Sequence, residues 1–239
     1  MQPYFFPYLG HFALIANCDE WIVFDVTQYR PKTWMNRNRV LHPSGGAMYV
    51  TVPLSNSSQS VLTCEARIAD PERAHASVRG ALSHYKRSAP HFADVVALVD
   101  ATFAQLTGDS LVELDVAALR TVCAHLELPF RYRICSQARL EFAPPSGPGG
   151  WAPAIASAIG AEEYLNPISG RALFDPVDFA ERSIDLCFLD MPAFVYDTGP
   201  FKFEPNLSIL DVMMWNSPRA IRAGLGTARI VYASEQIAP

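Results

Sequence analysis

Apolar and polar positions along the chain predict short strands that alternate with helices. An apolar stretch at residues 11–17 is typical of a short helix, whereas stretches rich in β-branched and aromatic residues predict buried strands. These strands fall at residues 21–25, 48–52, 130–135 and 184–189. Further helices are predicted over residues 151–159 and 206–216, and after Pro218. The alternation predicts an α/β fold in which flanking helices cover a mostly parallel sheet.

One long region, residues 71–127, is predicted to be a helical lobe, interrupted at Pro90 and at the turn of residues 107–110. Ser110 and Glu113 have capping-box spacing at the start of its last helix, which carries an apolar stripe. The proline- and glycine-rich residues 143–150 predict a loop. We therefore expect a single α/β domain over residues 1–239, with this lobe attached.

Composition narrows the class of protein. Half of the 239 residues are apolar and 18% are charged, as in globular proteins. A net charge of -5 argues against a broad nucleic-acid surface. Neither a run of eighteen apolar residues nor a signal-peptide pattern is present, so we expect no membrane span and a cytoplasmic location. The five cysteines are widely spaced and form no C-x-x-C pair, which predicts neither a disulfide framework nor a metal site.

The opening segment is the first candidate for ligand binding. Gly10 lies just ahead of an apolar helix, where backbone amides can receive an anion. Gly10 and His11 resemble the end of the H-x-G-H signature of nucleotidylyltransferases and pantothenate-synthetase-like ligases, with Tyr8 in place of the first histidine. That resemblance implies an ATP site, and a Rossmann-type sheet as one form of the fold. Its contacts would be Gln2, Tyr4, Gly10 and His11; the alternative is a rigid loop of packed aromatics and prolines.

Asp25 occupies the carboxyl end of a predicted strand, where open α/β sheets usually contact their ligands. It could act as a general base toward an amine or hydroxyl, or orient a cation. Alternatively, it caps the next turn. Gln28 and Tyr29 follow in the same segment, as candidates for substrate contact and for handling the amine proton.

The segment WMNRNR is the third candidate. In an extended backbone Arg37 and Arg39 share one face, and Trp34, Asn36 and Asn38 share the other. Guanidinium pairs bind phosphate or carboxylate, and asparagines suit sugar or amide groups. A solvated polar turn is the alternative, but the pattern favours contact with a small anionic ligand.

Two later segments are weaker candidates. Asn166, Ser169 and Gly170 belong to a turn-rich segment that could offer hydroxyl and N–H groups to a phosphate, or be an ordinary loop. Ser208 and Asp211 have capping-box spacing, which is a sufficient structural reason for both.

Five spaced blocks together resemble the WbqC-like family, in order from residue 1 to about residue 217. They are MQPYFFPYLGHF, FDVTQY with WMNRNRV, HYKRSAPHF, GAEEYLNPISGRALF and FEPNLSILDVMMWNS. The resemblance implies a bacterial role in O-antigen or natural-product biosynthesis, with a suggested glycine-transferase activity. It also makes Asn206 and Ser208 candidates for substrate binding. The family pattern carries a second carboxylate where this chain has Val26, so no two-carboxylate or metal mechanism is predicted.

The start of the chain carries a further expectation. A parallel strand at residues 21–25 that follows a short helix requires a preceding strand, and WbqC-like proteins typically begin with one. The pattern therefore predicts a strand ahead of residue 1.

The resemblance to the WbqC-like family implies a transferase or ligase that forms an amide between an amino acid or acyl donor and an amine acceptor, such as a nucleotide-linked amino sugar. ATP would activate the carboxylate as an acyl-adenylate, Arg37 and Arg39 would neutralise phosphate, and Asp25 or Tyr29 would manage the amine proton. Two alternatives remain: a nucleotidylyltransferase acting on a sugar phosphate, and a non-catalytic ligand-binding protein of the same pathway.

Overall fold

Helices and short strands are mixed along the whole chain. The structure, a computed structural model, describes residues 1–145 and 147–234. Its strands are β1 Trp21–Val23, β2 Arg37–Leu41, β3 Ala47–Thr51, β4 Tyr132–Ile134, β5 Glu163–Pro167, β6 Asp185–Asp190 and β7 Arg229–Tyr232. Its α-helices are α1 Leu9–Ala16, α2 Pro71–Leu82, α3 Phe92–Phe103, α4 Leu111–His125, α5 Trp151–Ala158, α6 Pro176–Ala180, α7 Ile209–Trp215 and α8 Pro218–Leu225.

The strands form three small sheets. β1 and β4 pair in parallel, β2 and β3 pair antiparallel, and β6 lies between a parallel β5 and an antiparallel β7. The α/β class is therefore confirmed, but the expected mostly parallel, Rossmann-type sheet is not found in the described residues. The apolar pattern predicts β1, β3, β4 and β6 as extended, whereas pairing depends on the connections between strands.

The β2–β3 hairpin illustrates why the pairing differs. Gly45 and Gly46 adopt positive φ angles of 106° and 73° between the two strands. His42 N donates to the Gly46 carbonyl at 2.8 Å, and Gly45 N donates to the His42 carbonyl at 3.0 Å. Such a tight connection forces its strands to be antiparallel. From its sequence β2 is either an extended segment or a polar turn, and the sequence pattern does not predict β5, α6 or β7.

The predicted helical lobe contains α2, α3 and α4, with α3 packed against both of the others. Ser110 Oγ accepts from Glu113 N at 3.3 Å, so half of the expected capping box is present. The Glu113 carboxylate instead accepts from Thr107 N and Oγ1, at 3.0 and 2.9 Å. The lobe shares its buried side chains with the rest of the molecule, because Val78, Val99 and Leu119 belong to one core with α1, β1, β3 and α7.

A second, smaller cluster lies beneath β5 and β6, around Phe179, Ile184 and Phe188. At the opposite end of the chain, the Met1 ammonium donates to the Ile22 carbonyl at 2.8 Å, and the Met1 carbonyl accepts from Phe24 N at 2.8 Å. Among the described residues, every helix is too short or too polar to cross a bilayer.

Candidate functional site

Strand β2 is where three of the sequence blocks meet. Asn38 Nδ2 donates to the carbonyls of Phe5 and Phe6, at 3.1 and 2.9 Å. Ser208 Oγ donates to the Phe6 carbonyl at 2.7 Å, and Ser208 N donates to the Arg39 carbonyl at 2.8 Å. Phe6 has a positive φ of 38°, and the two donors to its carbonyl hold this strained backbone. The opening loop, β2 and the start of α7 are therefore fixed to one another.

A buried carboxylate secures the far end of β2. Asp211, on α7, accepts from Leu41 N at 3.1 Å, from Tyr196 Oη at 2.8 Å and from Tyr85 Oη through a short hydrogen bond. Tyr85 Oη also accepts from Leu41 N at 2.8 Å. Burial raises the pKa of the Asp211 carboxyl, while the tyrosine and backbone donors oppose this shift. The buried Asp211 carboxylate thus accepts hydrogen bonds from three separate segments of the chain.

On its other face β2 presents two arginines beside two exposed rings. The Arg37 guanidinium carbon lies 4.2 Å from the Tyr49 ring centroid, and that of Arg39 lies 5.6 Å from the Trp34 ring centroid. Trp34 and Tyr49 stack with centroids 6.3 Å apart, and they are 37% and 50% exposed. We call Trp34, Arg37, Arg39 and Tyr49 the cationic–aromatic face.

The charge of this face is uncompensated. Within residues 1–145 and 147–234, no carboxylate lies within ion-pair distance of Arg37 or Arg39. Arg37 Nη2 donates to the Lys32 carbonyl at 2.6 Å. The Nε atoms of both arginines are shielded from solvent, and neither has a hydrogen-bond acceptor in the part of the chain that the structure describes. Buried donors normally have acceptors, so these two unsatisfied donors are exceptions that a bound ligand would explain.

Both asparagines of the WMNRNR segment bind within the protein. Asn36 Oδ1 accepts from Tyr29 Oη at 2.9 Å, and Asn36 Nδ2 donates to the Val52 carbonyl at 2.9 Å. Asn38 is buried against the opening loop, whereas Trp34 lies beside Arg39. Burial raises the pKa of Tyr29, and the nearby Arg37 opposes this shift. The Tyr29 phenol therefore stays protonated at neutral pH and donates to Asn36.

The opening loop surrounds His11 with aromatic rings. The ring centroids of Tyr4, Tyr8 and Trp21 lie 5.1, 5.4 and 5.9 Å from the imidazole. Burial, followed by the charge of the N-terminal ammonium, lowers the pKa of His11 to about 3. The imidazole is therefore neutral near pH 7 and cannot neutralise a phosphate.

Neither ring nitrogen of His11 has a hydrogen-bond partner among the described residues. Gln2 lies beside one of the rings around His11, with its Oε1 3.5 Å from Tyr4 Oη. A side chain at Gly10 would overlap the Tyr8 ring, so the glycine lets that ring lie across the start of α1.

Asp25 lies in a different place, at the carboxyl end of the parallel β1–β4 pair. It is 1% exposed, and its two carboxylate oxygens accept from Ser136 N at 2.9 Å and Ser136 Oγ at 2.6 Å. Its carbonyl accepts from Cys64 N at 2.9 Å. Gln28 is exposed and forms an isolated bridge with Leu62. The segment that follows β1 is therefore tied to the turn that follows β4.

The C-terminal candidates are dispersed. Asn166 is buried near the end of β5, where its Nδ2 donates to the Pro167 carbonyl at 3.3 Å and leaves no room for a side chain at Gly170. Ser169 is exposed on the following 3-10 turn. Asn206 is exposed ahead of α7, with a positive φ of 55°. Ser208 is thus the C-terminal candidate that contacts β2.

No group of three or more histidine, cysteine, aspartate or glutamate side chains in the described residues could hold a metal ion.

Comparison with known proteins places these elements in a family. The family model described as the WbqC-like protein family matches residues 2–223. The chain belongs to this family. The WbqC-like match covers all three regions that meet at β2 and ends within α8. The "Uncharacterized protein Rv1507c" of Mycobacterium tuberculosis is 28% identical over 215 residues, which cover 89% of this chain and 90% of that protein. No solved structure matches the chain.

The sequence of this WbqC-like chain does not predict that several residues belong to the region around β2. The sequence predicts Tyr49 only as part of a strand and Asp211 only as part of a helix cap, and it predicts no role for Tyr196. Ser208 alone caps α7, since its Oγ accepts from Leu210 N at 3.2 Å. The available signal for Asp211 was its isolation among apolar residues of α7, where a buried acid needs donors from elsewhere.

Proposed function

We propose that this protein is a biosynthetic transferase or ligase that joins an amino acid or acyl group to an amine, and that its cationic–aromatic face holds a nucleotide-bearing substrate. One observation supports this most directly: two guanidinium groups, with no carboxylate partner among the described residues, lie beside two exposed, stacked rings. Guanidinium groups bind phosphate oxygens in a bidentate manner, and a base stacked on an aromatic ring contributes about 1–3 kcal/mol.

The charge distribution supports a small anionic ligand. The whole chain carries a net charge of -5, so the two arginines form a local positive patch on an acidic protein. A polyanion would be repelled by the remaining surface, whereas a mononucleotide or a nucleotide-linked sugar contacts only the patch. The implied role of WbqC-like proteins in amino-acid transfer to an amino sugar suits such a substrate.

The chemistry we propose has two steps. A carboxylate oxygen of the donor attacks the α-phosphorus of ATP, releasing pyrophosphate and forming an acyl-adenylate. The amine then attacks the acyl carbon, AMP leaves, and the amine loses its proton. Arg37 and Arg39 would stabilise the phosphate charge, and the amine proton would pass to water, because Tyr29 is protonated and both oxygens of Asp25 accept from Ser136.

The arginines give the sharpest test of the binding step. Arg37→Ala and Arg39→Ala each remove a charge-assisted contact worth about 1.5–3 kcal/mol, so each variant should bind ATP or UDP-glucosamine roughly 10- to 100-fold more weakly in isothermal titration calorimetry. Arg30→Ala is the matched control, because Arg30 is exposed in the same basic segment. Equal affinities for the control and the double variant Arg37→Ala/Arg39→Ala would contradict the assignment of this face.

Turnover distinguishes the catalytic alternatives. Pyrophosphate release that depends on both an amino acid and an amine supports the adenylate step, whereas ATP-independent amide formation excludes it. An NDP-sugar product formed without an amino acid favours a nucleotidylyltransferase. Arginine-dependent nucleotide binding without turnover of these substrate pairs favours a non-catalytic binding protein.

A further inference from the structure

A polar cleft lies at the carboxyl ends of β1 and β4, and its lining includes no residue of the cationic–aromatic face. Its volume is about 360 Å³, at the small end of ligand pockets. Asp25 and Ser136 lie at the strand ends, and α4 supplies one wall. The carboxyl ends of parallel strands are a usual place for ligands in α/β proteins. The charged lining residues are Asp25, Glu113 and Arg120.

The inner part of this cleft is negative. Asp25 is buried, and no cationic side chain in the described residues lies within ion-pair distance of its carboxylate. Burial and then the charge of Asp25 raise the pKa of the neighbouring Cys64 thiol, which stays protonated at neutral pH. A buried carboxylate without a counter-ion is costly, and a bound ammonium group would offset that cost.

The α4 wall adds a charge of each sign. Glu113 and Arg120 are seven residues apart, so they stand about 10 Å apart along the helix axis on one face. One oxygen of Glu113 is occupied by Thr107, as described above. Arg120 is exposed and has no carboxylate within ion-pair distance in the described part of the chain. The cleft therefore offers negative groups for an ammonium and one unpaired guanidinium for a carboxylate.

We propose that this cleft binds a small α-amino acid, with its ammonium group toward Asp25 and its carboxylate toward Arg120. The inference rests on the proposed function, in which this molecule is the amino-acid substrate. Asp25 and Tyr29 are four residues apart, so their Cα atoms are separated by at most about 14 Å. Since Tyr29 binds Asn36 beside Arg37, the cleft and the cationic–aromatic face are linked by one short segment.

Glycine is the probe, and isothermal titration calorimetry on the full chain is the measurement. Glycine should bind the parent protein and bind Arg120→Ala at least tenfold more weakly. Arg131→Ala is the matched control, an exposed arginine outside the cleft lining. Asp25→Asn should also weaken glycine binding. Because Asp25 anchors Ser136 and its variant could unfold, the surface variant Arg120→Ala decides the outcome.

Ethylamine and acetate each carry one of the two charges of glycine, and both should bind more weakly than glycine. Absence of glycine binding, equal binding by Arg120→Ala and Arg131→Ala, or equal affinity for ethylamine and glycine would each overturn the proposal. Nucleotide binding in the same variants separates the two proposals. If Arg37→Ala loses nucleotide binding but keeps glycine binding, the result supports the proposed function and says nothing against the cleft. If glycine binds Arg120→Ala as tightly as the parent protein, the cleft proposal is refuted and the proposed function is not.

Discussion

Asp115 should make the stability of this protein fall as the pH rises. It lies in the middle of α4, is fully buried, and has no hydrogen-bond partner for either carboxylate oxygen among the described residues. Burial raises the pKa of its carboxyl well above the ordinary value of 3.8. Its charge is close enough to Tyr29 to contribute to the raised pKa of that phenol. We therefore expect the folded protein to hold a proton on Asp115 that the unfolded chain releases.

The sign follows from proton binding. Between the ordinary and the raised pKa the folded state binds more protons than the unfolded state, so the free energy of unfolding decreases with rising pH. Below the ordinary value both states are protonated and the full stability is present. Each pH unit above it costs about 1.4 kcal/mol until the folded pKa is reached. From about pH 5 to about pH 7 this amounts to at most about 2.7 kcal/mol.

Asp115→Asn removes the titrating group and keeps the size of the side chain. The free energy of unfolding of this variant, measured by urea denaturation, should lack the pH-dependent loss that Asp115 causes. As the pH rises, the variant should therefore gain stability relative to the parent protein by about 1.4 kcal/mol per pH unit. Thermal unfolding should show a matching relative shift of roughly 2–4 °C per kcal/mol. Asp19→Asn is the control, because Asp19 is exposed. A difference that does not change with pH would refute the reasoning.

Two further predictions concern the contacts that hold β2. Asn38→Ala removes the side-chain donor to the Phe5 carbonyl and should lower the free energy of unfolding by about 1–3 kcal/mol; an unchanged urea midpoint would contradict the role of this contact. Tyr196→Phe leaves Asp211 Oδ1 without its donor and should cost about 1–3 kcal/mol in the same assay, whereas Tyr232→Phe, at an exposed hydroxyl, should change it little; equal effects would argue against a buried hydrogen bond.

The sequence predicted local structure better than pairing. Helices α4, α5 and α7 have apolar stripes and caps or stop signals within their own residues, so their positions could be predicted to within a few residues. The partner of β1 is β4, more than a hundred residues later, and nothing within either strand specifies the other. Strands β5 and β7 were missed because their exposed positions weaken the apolar pattern.

The same division applies to the candidate site. The common face of Arg37 and Arg39 follows from the period of an extended strand, which the sequence contains directly. The hydrogen bonds from Tyr85 and Tyr196 to Asp211 cannot be predicted from the sequence in this way. Tyr85 and Asp211 are far apart along the chain, and no local pattern links the three residues. The neutral state of His11 depends on burial among rings from other segments. The presence of a histidine in the sequence does not reveal this burial.

The hydrogen bond from Ser208 to Phe6 joins residues 202 positions apart. Contacts of such high sequence separation form late, since loop closure must precede them. During synthesis, the opening loop leaves the ribosome long before Ser208 and Asp211 exist, and β2 has neither of its α7 contacts until nearly the whole chain is made. A chain ending before α7 could form the lobe helices by local contacts, yet it would lack the support that holds its arginines in place. If the proposed ligand binds at β2, its binding would require a chain that has been synthesised through α7 and has folded there.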